Sequence, residues 1–366
     1  MPRVIGHIDL DYFYAQVEEA ENPSLKERPV VVCVFSGRTE DSGVVSTANY
    51  RARDFGVHSG MPIVLAKKKL EGKNPAMIRM EHEKYEAVST RIMEKLNHLV
   101  DVLEPTGIDE AFFDITSSAN GDYAKGREIA ESIKKSIFET ECLTSSIGLG
   151  RSKVIAKLGS DMAKPNGLTV IIPEKTAEVL GPLPVGKLYG VGPKTYASLE
   201  EIGIRTVADL ARADPSELEL RFGRKFGAYL LAAATGTDDA PVVAGLKPTQ
   251  FSRIVTLKKD TRDPKEVVSQ LSTGIDYINN KLTESKMSFR TASAIGILTD
   301  LSIKTKSKTF EAPVTSASIL REETLTLFEG LGSSVNRDFR RAGIRVSGLA
   351  HAVDQSSLSE FVSTEK

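Results

Sequence analysis

Three acids stand where acids are awkward. Asp9 follows the apolar run Val4-Ile5-Gly6-His7-Ile8, and Asp109-Glu110 interrupts an apolar stretch just before Ala111-Phe112-Phe113. Carboxylates that converge without counter-charge repel one another and hold their protons, unless a cation neutralises them. An all-oxygen donor set, with no His or Cys expected at the site, suits magnesium or manganese rather than zinc. Carboxylates bridging two such ions are the usual device for in-line phosphoryl displacement. Taken singly, Asp9 reads equally well as a strand-end cap and Asp109-Glu110 as a solvated turn; the cluster reading rests on the three together. Asp11 shares a strand face with Asp9 by period two, yet is expected to cap the helix that follows.

A second group is basic. In Ser46-Thr47-Ala48-Asn49-Tyr50-Arg51-Ala52-Arg53, Tyr50 and Arg53 fall at i, i+3 on one helix face, with Thr47 expected a turn earlier. A guanidinium fork, a phenol and a hydroxyl on one face suit a triphosphate. Lys164, in Met162-Ala163-Lys164-Pro165, closes a helix, where an ammonium also complements the helix C-terminus.

The elements that must hold these groups follow from periodicity. Strands are expected at 4–8, 29–35, 103–115 (strand, turn, strand around Pro105 and Gly107) and 145–149. Helices are expected at 12–21, 48–55, 83–100 and 122–139. With roughly residues 13–80 set aside as an insertion, the remainder runs strand–helix–strand–strand–helix–strand, the ferredoxin-like pattern. In that pattern the first strand neighbours the hairpin, so Asp9 and Asp109-Glu110 can meet. From Pro182 the texture changes. Leu188-Tyr189-Gly190-Val191-Gly192-Pro193-Lys194-Thr195 suggests a helix-hairpin-helix whose turn offers N–H groups to a phosphate, with Arg205 nearby; a plain helix connection reads the same residues without a ligand. A turn-rich connector over 236–248 leads to strands at 252–258 and 291–301 flanking a helix at 265–282. A polar tail closes the chain.

Composition sets the remaining bounds. The chain has 366 residues, 40% hydrophobic and 27% charged, the balance of a globular protein of two to four compact units. No apolar run approaches the roughly 18 residues of a membrane span, the first residues lack a signal-peptide layout, and a cytoplasmic monomer is the expectation. Cys33 and Cys142 have no CxxC partners, so neither disulfides nor zinc are indicated. Residues 251–351 carry 16 Lys/Arg against 11 Asp/Glu, while 1–250 carry 31 against 35. A basic module joined to a mildly acidic one fits a metal-holding body beside a polyanion-binding part.

The stretches HIDLDYFYAQVEE, PVVVCVFSGR, GVVSTANYRARDFGV, GIDEAFFDI and RSKVIAKLGSDMAKPNGLTVI together resemble the archaeal DNA polymerase IV branch of the Y family of translesion polymerases. The resemblance implies an α+β, multidomain right-hand polymerase. Its parts would be a palm (1–12 and 80–171), small fingers (13–79), a helix-hairpin-helix thumb (172–236), a linker (237–250), a DNA-binding little finger (251–351) and a flexible tail (352–366). It implies template-directed addition of deoxynucleotides to a primer, at low fidelity and without a proofreading exonuclease. Asp9, Asp109 and Glu110 then resemble the ligands of two Mg²⁺ (Mn²⁺ as substitute), with the Leu10 carbonyl as a further ligand. Tyr14 matches the steric gate against a 2′-OH, and Thr47, Tyr50, Arg53 and Lys164 match the triphosphate contacts. In the tail, Gln355, Leu358 and Phe361 are similar to a sliding-clamp-binding peptide, though Val362 replaces its second aromatic. A nucleotidyl cyclase shares a palm of this kind, but has no use for the thumb, the basic module or such a tail.

Overall fold

The central strand of the first sheet carries the first acid. β1 (Ile5–Leu10) is buried at every position except half-exposed Asp9. The computed structural model describes residues 1–245 and 248–352. These divide into two units near residues 246–247, with Phe35–Gly43 grouping with the second.

After β1 the first unit runs α1 (Phe13–Glu21), β2 (Val30–Phe35), β3 (Gly43–Ala48), α2 (Tyr50–Arg53), α3 (Ile63–Lys69), β4 (Ala76–Arg79) and α4 (His82–Asn97). Then come β5 (Val102–Pro105), β6 (Glu110–Asp114), α5 (Tyr123–Glu141), β7 (Ser145–Gly150), α6 (Lys153–Met162) and β8 (Leu168–Val170). The main sheet has the order β5-β6-β1-β7-β8, in which β1, flanked by two antiparallel neighbours, sits at the centre. Its first four strands, with α4 and α5, are the ferredoxin-like arrangement; β8 extends it in parallel beside β7. A smaller sheet, β3-β2-β4, occupies the insertion.

The two faces of the main sheet are filled differently. Ile8, Leu10, Phe113 and Ile147 pack with Tyr85, Ile92, Ile133 and Ile137 of α4 and α5. On the other face α6 lies against the strands themselves. A Cβ on Gly148 of β7 would overlap the backbone of Ala156, Gly159 and Ser160, so only glycine admits the helix at this range. Gly159 meets Gly148 from the helix side.

Five more helices complete this unit: α7 (Thr176–Leu180), α8 (Pro193–Glu201), α9 (Val207–Ala211), α10 (Pro215–Phe222) and α11 (Arg224–Thr235). They close around Leu188, Leu199, Leu210, Leu218 and Leu230. The Gly-rich turn ends with Gly192 as N-cap of α8 and Pro193 at its first position. The residues after α11 are not a bare connector. Val242 is buried with Ile5 and Phe112, the Val243 N–H donates to Glu104 at 2.7 Å, and Arg3 donates to the Ala240 carbonyl.

The second unit is an antiparallel sheet of order β11-β10-β12-β9, built from β9 (Gln250–Thr261), β10 (Met287–Leu298), β11 (Ile303–Val314) and β12 (Phe339–Ser347). The short β13 (Ala350–His351) adds to β10. Helices α12 (Pro264–Glu284) and α13 (Ala317–Gly332) cover the sheet through Leu271, Ile275, Ile278, Leu327 and Phe328, which pack on Phe289, Phe339 and Ile344. Among the described residues no helix is long and apolar enough to cross a membrane.

Two expectations are corrected. Thr47 lies on β3, not on a helix: the residues before Tyr50 pair with β2, and the helix is only four residues long. Asp11 does not cap α1. The N-cap is Tyr12, in the left-handed region at φ 35°, with no side-chain cap bond. Asp11 is buried and accepts from Thr144 Oγ1, Ser146 Oγ and the Asn166 N–H, so it ties β1 to β7 and to the segment after α6.

Candidate active site

The register of the central strands brings the acids together. Asp9 stands directly opposite Glu110, and the Leu10 N–H continues the ladder by donating to the Asp109 carbonyl at 2.8 Å. Asp109 closes the β5–β6 turn, whose Thr106 and Gly107 N–H groups both bond to the Glu110 carbonyl. The Asp109 carboxyl is pushed up to about 6 by burial and by the charges of Asp9 and Glu110. That is the mark of a buried carboxylate crowded by like charges. Leu10 is buried between the two neighbouring strands.

Two lysines supply counter-charge, and only one was foreseen. Lys164, just past α6, donates to Asp9 Oδ2 at 2.6 Å and lies 2.8 Å from Asp161. Burial draws its pKa down, but the bonds to Asp161 and Asp9 more than offset this and leave it raised. Lys157, one turn into α6, sits 2.5 Å from Glu110 Oε2 and 3.7 Å from Asp9 Oδ2. Sequence reasoning missed it, because a lysine on an amphipathic helix reads as solvated until the close approach of α6 to the sheet is known.

His7 was missed too. It is fully buried, with Nδ1 2.8 Å from Ser160 Oγ and Nε2 3.5 Å from Glu110 Oε2. Burial lowers its pKa, so it is the neutral imidazole at ordinary pH. Glu110 is held down to about 2 by His7 and by the Lys157 ammonium. The Lys157 contact, shorter and charged, is the stronger of the two, since 3.5 Å is long for a formed bond. Among the described residues no three acid, imidazole or thiol groups close on one point at chelating range; the lysines hold the carboxylates instead.

The triphosphate candidates border this cluster. Tyr50 opens α2, and the Arg53 guanidinium lies 4.9 Å over its ring while donating from Nε to the Ala48 carbonyl. Burial raises the Tyr50 pKa; the charges of Arg53, Asp11, Lys164 and Asp9 also reach the phenol, which places it at the edge of the acid cluster. Tyr12 meets Tyr50 edge-on at 5.4 Å. Thr47 is half-buried on β3, at the strand end leading into Tyr50. Tyr14, on the first turn of α1, is half-buried, and its pKa is raised by burial and by the Asp109 charge. The structure thus brings Asp9, Asp109, Glu110 and Lys164 together, with Tyr14 and Tyr50 within reach of the acids' charges. Gln355, Leu358 and Phe361 lie outside the described residues.

Comparison with known proteins adds three family matches. The impB/mucB/samB family matches residues 8–161, its C-terminal domain residues 248–359, and a DNA polymerase-iota thumb domain residues 186–238. The chain is 42% identical to the DNA polymerase IV of Methanosarcina acetivorans, covering 99% of this chain and 100% of that protein. With the DNA polymerase IV of Nitrosopumilus maritimus it shares 37%, covering 98% and 99%. Among solved structures, a Y-family DNA polymerase chimera of Dbh and Dpo4 matches with a TM-score of 0.89 at 36% identity, covering 94% of this chain and 98% of that one. An insertion ternary complex of Dbh DNA polymerase matches with a TM-score of 0.67 at 35% identity and the same coverage.

Proposed function

The chain belongs to the impB/mucB/samB family, the Y-family DNA polymerases, and from that premise we propose that it extends a primer across damaged template DNA, one deoxynucleotide at a time. It is a DNA-directed DNA polymerase of the DNA polymerase IV type. The observation that carries the proposal is the pairing of Asp9 with Glu110 beside Asp109, next to a lysine, a tyrosine and an arginine suited to a triphosphate.

The donor set fits divalent magnesium, with manganese as substitute: hard carboxylate oxygens, one of them with its pKa lifted by burial and by its acidic neighbours. Asp9, Asp109 and Glu110, with the Leu10 carbonyl, would hold two such ions. Bound there, they supply Lewis-acid stabilisation of the attacking 3′-oxygen and of the pyrophosphate leaving group. The chain's own residues do the rest. Lys164, Arg53, Tyr50 and Thr47 hold the triphosphate, and Tyr14 lies beneath the sugar and rejects a 2′-hydroxyl. Membership of this family carries with it low fidelity and no proofreading exonuclease.

The palm is assigned to residues 1–12 and 80–171, the fingers to 13–79, the thumb to 172–236, the linker to 237–250 and the DNA-gripping little finger to 251–351. The tail (352–366) is assigned to a sliding clamp through Gln355, Leu358 and Phe361. The enzyme acts as a cytoplasmic monomer on primer–template DNA. The test is primer extension by Asp109→Ala and Glu110→Ala proteins of parental melting temperature. Each should lose several orders of magnitude in rate, since electrostatic stabilisation of the transferring group supplies most of the acceleration in such chemistry. Near-parental extension by either would sink the assignment.

A further inference from the structure

Tyr14 does not face the site alone. Its ring lies face to face with that of Tyr85, centroids 4.2 Å apart and planes 14° from parallel. Tyr85, on α4, has no exposed surface, and its hydroxyl donates to Glu18 Oε1 at 2.6 Å. Glu18 follows Tyr14 by one turn of α1, so the stacked ring and the acceptor meet α4 from the same helix face. The Lys84 ammonium, 2.5 Å from Glu18 and 3.1 Å from Glu21, pairs with both carboxylates beside the stacked rings. Phe13 meets Tyr85 at 6.4 Å in an edge-on contact.

We infer that Tyr85 is a positioning residue for sugar selection: it is the fixed wall against which the Tyr14 ring excludes a 2′-hydroxyl. The inference rests on the gate reading of Tyr14 given above. A tyrosine turning about two side-chain torsions yields to a small overlap when there is room behind it. A buried ring that is stacked and hydrogen-bonded leaves no such room. Interiors packed at crystal-like density pass an overlap on rather than absorb it. The exclusion of ribose is thus a property of the pair, with Glu18 fixing where the pair stands. Burial and the Glu18 bond push the Tyr85 phenol well up, so it remains the neutral donor this arrangement needs.

The experiment compares insertion of a cytidine ribonucleotide with its deoxyribonucleotide opposite template guanine, as a ratio of kcat/KM. The proteins are the parent, Tyr14→Ala, Tyr85→Leu, Tyr85→Phe and the double variant Tyr14→Ala/Tyr85→Leu. In Tyr85→Leu, with the gate ring intact, relative ribonucleotide use should rise about tenfold, mainly through ribonucleotide KM, while deoxyribonucleotide kcat/KM stays within about threefold. The double variant should be no more permissive than Tyr14→Ala, because Tyr85 acts through the ring already removed. A Tyr85→Leu ratio within about twofold of the parent, beside a Tyr14→Ala protein that has lost selection, overturns the inference. Additive losses in the double variant overturn it too. Parental selection in Tyr14→Ala defeats the gate reading, and the inference with it. Should Tyr85→Leu not fold, Tyr85→Phe carries the test. It keeps the ring but loses the tether, and selection should loosen about threefold; parental selection there overturns the proposal.

Discussion

Lys164 donates to the carboxylate of Asp9 at 2.6 Å, joining the end of α6 to the central strand of the sheet across 155 positions of sequence. One ammonium thus belongs both to the acid cluster and to the group suited to a triphosphate. Lys164→Ala should raise the KM for deoxynucleotides about 10- to 100-fold, the scale of a lost charge-assisted hydrogen bond. Steady-state single-nucleotide insertion measures this. Manganese binding without nucleotide, followed by electron paramagnetic resonance, should tighten as Asp9 loses the nearer of its two lysines. An unaltered KM would leave Lys164 as a counter-ion to Asp9 and Asp161 with no part in nucleotide binding.

Asp109 gives the metal-free protein a pH dependence of known sign. Its folded pKa of about 6 lies above the 3.8 of a free carboxyl, so the native state binds the proton more tightly than the unfolded chain. The associated stability is fully present below about pH 4 and is lost as pH rises through 6. In EDTA, Asp109→Asn should therefore melt higher than the parent above that window, by about 2–4 °C, with the gap closing as pH falls below it. Magnesium should remove the parent's deficit at neutral pH. Calorimetry that found the parent the more stable protein at pH 8 in EDTA would contradict the crowding of the three acids.

Gly148→Ala tests the seating of α6. The added methyl overlaps the helix backbone at Ala156, Gly159 and Ser160, none of which is a flexible side-chain end. Destabilisation of about 1–3 kcal/mol is expected from overpacking. Extension should fall further than that loss explains, because Lys157 and Lys164 move with the helix. A variant that is less stable but catalytically parental at low temperature would separate the helix seat from the site.

The basic face of the second unit is expected to carry DNA affinity. Lys304 and Lys306 are exposed on β11, two residues apart and so on one side of the strand. Replacing both with Ala should lower the slope of log K against log salt by about 2 while leaving single-turnover chemistry unchanged. Fluorescence anisotropy on primer–template across a salt series gives the slope directly; an unchanged slope means ordinary solvated surface.

For the tail, the Leu358→Ala/Phe361→Ala double variant should lose stimulation by the cognate sliding clamp on a circular primed template. Its activity without the clamp should be unchanged, since tethering raises effective concentration and not chemistry. Equal stimulation of variant and parent would show that the contact lies elsewhere.

The acids were legible because each interrupts an apolar run, and their meeting was legible because the ferredoxin-like order makes β1 and β6 neighbours. What escaped the sequence depends on distance rather than pattern. Asp11 looked like a helix cap since a cap needs only local residues; its partners Thr144, Ser146 and Asn166 lie more than 130 positions away. Lys157 and His7 gain meaning only when α6 is laid against the sheet. β3 was hidden because Gly43–Ala48 ends in the residues that begin a helix, and its pairing with β2 is tertiary. β11 gave no alternation to find, being an edge strand exposed along nearly all its length. Tyr85 looked like one more apolar position on α4, and nothing in its spacing told of the ring stacked on it.

The contact between Gly148 and α6 has a consequence for how this protein can change over time. Between the main sheet and α4 and α5, spacing is set by side chains that differ in volume, so substitutions there shift helices by fractions of an ångström. Between β7 and α6 the layer is main chain against main chain, and main chain has the same thickness whatever the sequence. Lysine and carboxylate are thus spaced by a gauge that drift in the core cannot recalibrate. The hydrophobic interior is free to vary while the electrostatic centre keeps its dimensions.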